Sequence, residues 1–332
     1  MDRPQVLVTR RLPSGALERV DTRCDMTLYQ GEGAMPRGQL LTEVAGKAGV
    51  ITLLTERVDD EFLDAAGPQL KIVANYAVGF DNIDVDACTR HGVLTSNTPE
   101  VLTETTADMA FALMMATARR VAEGDRLLRS KAPWIWGPLM MLGQDVHHKT
   151  LGIVGFGRIG QALARRARGF AMRVVYHDVH RPPAAVEQEV AAEYRSLDDL
   201  LRESDFVSLH TNLTPDTRHL INAERLAIMK PTAVLVNTSR GPVIDEAALA
   251  QALHEGQIFA AGIDVFEHEP TVNPDLLTCE NAVLIPHLGS GTVQTRLAMA
   301  NLAVDNLFAG LDNERPPTLL NPGLWEQRAS RP

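Results

Sequence analysis

A cation, an acid and an imidazole recur late in this sequence, each just beyond a short β-rich run. Asn237-Thr-Ser-Arg240-Gly241 follows Val234–Asn237, Asp264-Val-Phe-Glu267-His268-Glu269-Pro270 follows Ala260–Asp264, and Pro286-His287-Leu-Gly289-Ser290 follows Val283–Ile285. A planar guanidinium at Arg240 can grip a carboxylate with two parallel hydrogen bonds. A protonated imidazole at His287 can give its proton to an oxygen on which negative charge develops. A carboxylate beside that ring stabilises its charged form and fixes its orientation. Glu269 is the candidate for that part, with Glu267 and His268 as neighbours that the sequence does not separate from it. The set fits hydride transfer to a 2-oxo acid, which requires a hydride carrier.

The carrier's site is written earlier in the chain. Gly155-Phe-Gly157-Arg158-Ile159-Gly160 directly follows the β-rich run Leu151–Val154 and opens a helical pattern, Ile159–Arg168. In that context the first glycine permits a tight turn and the second lets backbone approach a pyrophosphate. The third allows close helix–strand packing. The helix N-terminus offers free N–H groups to the phosphates. Asp178 ends the next run, 18 residues after Gly160, close to the spacing of an acid that accepts from a ribose 2′-hydroxyl. A carboxylate there repels a 2′-phosphate, which favours NAD(H). His180 and Arg181 follow it and pull toward NADP(H), which stays open as the alternative.

These residues need strand ends to stand on. From Thr150 onward, runs at Leu151–Val154, Arg173–His177, Phe206–Leu209, Val234–Asn237, Ala260–Asp264 and Val283–Ile285 alternate with helical patterns, which predicts a six-stranded doubly wound sheet. Before it, runs at Gln5–Thr9, Val50–Leu54, Lys71–Asn75 and Val93–Ser96 alternate with helical stretches such as Asp59–Ala66 and Asp84–Arg90. The stretch Thr105–Val121 is helical and apolar on most sides, which predicts burial in a core or a subunit contact. One long helical pattern, Thr292–Gly310, remains after the last strand, and the roughly forty residues after Gly289 are too few to build a core alone. The fold class is therefore α/β with two Rossmann-like domains on doubly wound parallel sheets. A discontinuous substrate domain is expected from 1–100 plus 290–332, with the dinucleotide-binding domain at 101–289.

Composition narrows the alternatives. The chain has 332 residues, a formal net charge of −10, 45% apolar and 22% charged residues, values of an ordinary globular protein. No apolar run approaches the ~20 residues that span a bilayer, and no secretory leader opens the chain. No Lys/Arg-rich stripe suits nucleic acid. Cys24, Cys88 and Cys279 are scattered, without metal-binding spacing, so no metal and a reducing cytoplasm are expected.

Four ordered motifs, Val154–Gly160, Asn237–Gly241, Gly262–Pro270 and Pro286–Ser290, make the chain resemble the D-2-hydroxyacid dehydrogenase family over nearly its whole length. The segments Val73–Asp84 and Asn97–Thr103 are most similar to its glyoxylate/hydroxypyruvate reductases. The resemblance implies NAD(P)H-dependent reduction of a small 2-oxo acid, glyoxylate or hydroxypyruvate. It makes Arg240, Glu269 and His287 the catalytic set, with Val78, Gly79 and Leu54 joining Arg240 at the substrate. It implies cofactor contacts from Thr106, Gly155, Gly157, Arg158, Ile159, Gly160, Asp178, His210, Thr238, Asp264, His287 and Gly289. It also implies a homodimer, with the apolar helix from Thr105 in the dimerising region.

Two segments depart from the family pattern. His210-Thr-Asn212-Leu-Thr214 lacks a common proline, and Lys131-Ala-Pro133-Trp134-Ile-Trp136 lacks the common Gly-x-Trp form. Other substrates on the same fold are D-lactate, D-3-phosphoglycerate and phosphite. Phosphite oxidisers carry a lysine where Val78 stands, and phosphoglycerate enzymes want extra phosphate-binding cations. A non-catalytic NAD-sensing protein, like the C-terminal-binding-protein corepressors, is the rival from another class.

Overall fold

A computed structural model describes residues 3–330, which form two compact units. One runs to Leu102 and resumes at Thr292, and the other is Thr103–Gly291.

The first unit holds five strands: β1 (Gln5–Val8), β2 (Asp25–Leu28), β3 (Gly49–Thr52), β4 (Ile72–Asn75) and β5 (Leu94–Ser96). They lie in the order β2-β1-β3-β4-β5, all parallel. Strands β3 and β4 are buried throughout, as in parallel sheets covered on both faces. On one face Leu7, Val50 and Val73 pack with Leu40, Phe62 and Leu63. The helix Val293–Leu311 packs against β3, β4 and β5, closely enough that a Cβ at Gly310 would lie 2.6 Å from Ile72 Cβ. Asp59 and Asp84 cap their helices by accepting from the Phe62 and Ala87 N–H groups, satisfying donors that a helix start leaves without partners.

The second unit holds seven strands: β6 (Thr150–Val154), β7 (Arg173–His177), β8 (Ala192–Tyr194), β9 (Phe206–Leu209), β10 (Val234–Asn237), β11 (Ala260–Ile263) and β12 (Ala282–Leu284). Their order is β12-β11-β10-β9-β6-β7-β8, again all parallel. The order reverses between β6 and β9, the switch point where ligands sit in open α/β sheets. Seven strands replace the expected six. The additional one, β8, is an edge strand with only Ala192 buried, and β2 of the first sheet is an edge strand with no buried residue. Neither carries the apolar pattern that marks a strand.

The apolar helix spans Thr103–Ala118 and buries Ala107, Ala110, Leu113 and Met114, crossing β10 and β11. It stops before Val121, because Arg120 adopts a left-handed φ of +54° and a separate helix, Val121–Arg129, begins. Among the described residues no helix is long and apolar enough to cross a membrane. No cluster of three or more His, Cys, Asp or Glu is placed to hold a metal among them either.

Candidate active site

The glycine turn joins β6 to the helix Arg158–Ala167. Gly155 has φ +91°, where a side chain is strained, and a Cβ there would lie 2.6 Å from the His210 carbonyl carbon and oxygen. A Cβ at Gly160 would lie 2.3 Å from Gly155 O. Gly157 differs, because a Cβ there would meet nothing within 4 Å. It caps the helix Arg158–Ala167 without a side-chain hydrogen bond, so first-turn N–H groups are presented over open space where a pyrophosphate fits. Arg158 and Ile159 open that helix. The Thr211 and Thr238 hydroxyls, just beyond β9 and β10, are buried with no hydrogen-bond partner in the chain, a costly state that a polar ligand would relieve. The residues present thus fit a dinucleotide.

Asp178, beyond β7, accepts from Phe156 N–H at 2.7 Å and from His180 N–H at 2.8 Å. Its carboxylate therefore ties the glycine turn to the neighbouring strand end. His210 contacts Ser208 Oγ through Nε2 at 2.9 Å, and burial pushes its imidazole down to about 4, so the ring is neutral at physiological pH.

His287 Nδ1 lies 2.8 Å from Glu269 Oε2, while Glu269 Oε1 accepts from Phe266 N–H at 3.0 Å. Glu267 instead meets His219 Nε2 at 2.8 Å, and the side chain of His268 is 77% exposed. Burial acts to raise the Glu269 carboxyl. The hydrogen bond and charge of His287, the Phe266 N–H and the charge of Arg240 outweigh it, holding Glu269 below the ordinary carboxylate range.

The His287 backbone is left-handed, with φ +53°, a conformation costing about 1–3 kcal/mol for such a residue. Asp264 holds it there. Its carbonyl accepts from His287 N–H at 2.8 Å, and its carboxylate accepts from Leu288 N–H at 2.5 Å and Gly289 N–H at 2.7 Å. Burial raises the Asp264 carboxyl, although those N–H groups and the His287 charge work the other way. A Cβ at Gly289 would lie 3.1 Å from Asp264 Oδ2 and 3.4 Å from Thr106 Cγ2, so Thr106, Asp264 and Gly289 are brought together.

Arg240 is positioned by Asn237, the last residue of β10. The buried Asn237 donates to Arg240 O at 2.9 Å and accepts from Ser239 N–H at 3.0 Å. Sequence reading did not single out Asn237. A fully buried amide ending an apolar strand was the available signal.

Leu54, Val78 and Gly79 belong to the first unit. There Ala77 O accepts from Thr98 N–H at 2.7 Å and Val78 O from Asn97 Nδ2 at 2.7 Å. In a trans peptide C=O and N–H point oppositely, so these bonds aim the Val78 and Gly79 N–H groups away from β5. The turn carrying Leu54 is held by buried Glu56, which accepts from Leu53 N–H at 2.7 Å and Thr9 Oγ1 at 2.8 Å. Asn82 donates to Leu53 O and Glu56 O, each at 2.9 Å.

A glycine turn at the switch point of a seven-stranded Rossmann sheet, with a carboxylate-backed imidazole and a guanidinium beyond later strands, defines a nicotinamide-dependent oxidoreductase. Residues 111–289 match the family model "D-isomer specific 2-hydroxyacid dehydrogenase, NAD binding domain". A glyoxylate reductase from Thermococcus onnurineus is 51% identical over 96% of both chains. Two solved structures superpose over most of their length. A glyoxylate reductase from Paecilomyes thermophila has TM-score 0.86 and 33% identity over 97% of this chain and 100% of its own. An NADPH-dependent glyoxylate/hydroxypyruvate reductase from Sinorhizobium meliloti, in complex with NADP and malonate, has TM-score 0.84 and 32% identity over 96% of this chain and 97% of its own. The chain belongs to the D-isomer specific 2-hydroxyacid dehydrogenase family and is an NAD(P)-dependent oxidoreductase of 2-oxo and 2-hydroxy acids.

Proposed function

We propose that this chain reduces glyoxylate or hydroxypyruvate to the corresponding 2-hydroxy acid, preferring NADH. The observation that carries the reading is the His287–Glu269 contact at 2.8 Å, with the Arg240 charge also acting on Glu269. A bound reduced nicotinamide supplies the hydride to the carbonyl carbon. As the carbonyl π pair moves onto oxygen, His287 Nε2 gives that oxygen its proton. Glu269, ionised, holds Nδ1 and balances the imidazolium charge. Arg240 grips the substrate carboxylate.

The preference for NADH rests on two features. The Asp178 carboxylate is fixed by two backbone N–H groups and would repel a 2′-phosphate. Arg181, the nearby cation, is engaged by Glu187 at 2.7 Å and lies over the Tyr194 ring at 5.5 Å.

A homodimer is part of the proposal. Trp134, Ile135, Trp136, Leu139 and Leu142 are all more than half exposed, and helix Val121–Arg129 has no buried residue. Contiguous apolar surface of this kind marks an association site. Light scattering on the purified protein checks it, and a monomer at micromolar concentration refutes it.

The deciding experiment follows nicotinamide absorbance with glyoxylate, hydroxypyruvate and pyruvate, each with NADH and NADPH. Turnover of either of the first two above pyruvate, faster with NADH, is expected. Tight NADH binding without turnover of any would favour a non-catalytic NAD sensor.

A further inference from the structure

Glu246 opens the helix Glu246–His254 and is only 6% exposed. Its carboxylate is bound to the loop that carries Glu269. Its Oε1 accepts from Glu267 N–H at 2.5 Å, and its carboxylate also accepts from Asn273 N–H. The bond is reciprocated, since Glu246 N–H donates to Glu267 Oε1 at 3.2 Å. His219 Nε2 meets that same oxygen at 2.8 Å. One carboxylate thus holds both ends of the segment 267–273, and Glu269 lies inside it.

The Arg240 loop also meets the start of this segment. Gly241 lies so close that a Cβ would fall 2.4 Å from Glu267 N. The segment is therefore seated against both the β10 loop and the start of helix Glu246–His254. A side chain that must face an imidazole at 2.8 Å needs such support, because a loop left to itself samples many backbone states.

We propose that Glu246 is a positioning residue for oxo-acid reduction, gripping the 267–273 backbone so that Glu269 stands against His287. The inference rests on reading Glu269 as the partner of the proton donor. It predicts that Glu246 acts through Glu269 and not through the cofactor site.

The test uses the full-length protein and the variants Glu246→Ala, Glu246→Gln, Glu269→Gln and Glu246→Ala/Glu269→Gln. The first readout needs no substrate. It is the far-downfield proton resonance of the His287 Nδ1–H hydrogen bond, recognised by its loss in Glu269→Gln. The resonance is expected to vanish or move in Glu246→Ala and to be largely restored in Glu246→Gln, whose amide oxygen still accepts a hydrogen bond. The second readout is glyoxylate reduction. Glu246→Ala is expected to lower kcat by about 10–100-fold, the scale of a misplaced catalytic group, with NADH affinity changed less than about twofold. On the Glu269→Gln background the same substitution should add less than about threefold, since groups acting as a unit are not additive.

An unchanged resonance in folded Glu246→Ala overturns the proposal, as does a resonance in Glu246→Gln displaced as far as in Glu246→Ala, and as does full multiplication of the two kinetic effects. If the wild-type protein reduces no 2-oxo acid, the functional reading fails while the resonance still decides the role of Glu246.

Discussion

Gly241→Ala puts the arrangement of the catalytic loops under direct test. The added Cβ would lie 1.8 Å from Phe266 C, 2.0 Å from Phe266 O and 2.4 Å from Glu267 N. Ordinary contact starts near 3.4 Å, so the Arg240 loop and the Glu269 loop must part by about 1.6 Å. All three obstructing atoms are backbone, so no side chain can rotate out of the way. The native φ of Gly241 lies outside the left-handed region, so the substitution acts through sterics and not through a forbidden conformation. A misplacement of about 1 Å can cost about 100-fold in rate, equivalent to about 2.7 kcal/mol of transition-state stabilisation. We expect kcat/KM for the oxo acid to fall at least about 100-fold, with a stability loss of about 1–3 kcal/mol from overpacking. NADH affinity should stay within a few-fold, because the atoms nearest the added Cβ belong to the Phe266–Glu267 backbone and not to the glycine turn at 155–160. Steady-state kinetics, NADH fluorescence titration and thermal unfolding measure the three quantities. A variant keeping more than about one fifth of wild-type kcat/KM at an unchanged Tm would refute the reasoning.

Three further substitutions probe other parts of the site. Gly157→Ala adds a Cβ that meets no atom within 4 Å, so Tm should hold while the NADH Kd rises at least about tenfold as the methyl enters the pyrophosphate's space; unchanged affinity by titration would remove the glycine turn from cofactor binding. Glu269→Gln removes a carboxyl held below its ordinary value of 4.5. A depressed carboxyl stabilises the fold fully above its unfolded-state value and loses that stabilisation as pH falls through the folded-state value. The Tm difference between wild type and variant should therefore be constant from about pH 7 to 5 and shrink below about pH 4; a difference that grows on acidification contradicts the assignment. Glu187→Gln weakens the grip on Arg181 and should raise kcat/KM with NADPH about 3–10-fold while leaving NADH unchanged, a gain that Arg181→Ala must abolish.

Much of the fold is legible because the central strands are short apolar runs ended by glycine or polar residues. Phe206–Leu209 and Val234–Asn237 are strands over those residues, fully buried. The edge strands are not legible for the converse reason. Asp25–Leu28 and Ala192–Tyr194 pair along one side only, so their side chains carry no burial pattern and their identity comes from backbone pairing with β1 and β7. The break in the helix at Ala118 is equally silent in the sequence, since Arg119 and Arg120 are compatible with one more turn. The left-handed Arg120, whose guanidinium donates to Glu123 Oε2 at 2.7 Å, decides it.

The candidate site divides along a related line. Groups with reactive or phosphate-binding chemistry are visible as residue types at strand ends, which is why Arg240, His287 and the glycine turn stand out. Groups that work by accepting backbone N–H bonds are not, because their partners are peptides and peptides have no sequence signature. Asp264 shows the difference. The family resemblance sets it among the cofactor contacts, and the structure shows both its oxygens accepting from the loop that bears His287. Asn237 accepts from Ser239 N–H in the Arg240 loop, and Glu246 accepts from Glu267 N–H in the Glu269 loop. Each side chain of the proposed catalytic set is thus backed by a buried polar residue accepting from or donating to its own loop backbone. In a low-dielectric surrounding, such a group costs a good deal unless satisfied. The three loops are therefore held to geometries in which Asn237, Glu246 and Asp264 keep their partners, and the same geometries place Glu269 against His287. Exchanging one of these supports for an apolar residue of similar size should then cost more in rate than in stability, because the backbone can find water for its N–H groups but cannot recover the contact at 2.8 Å.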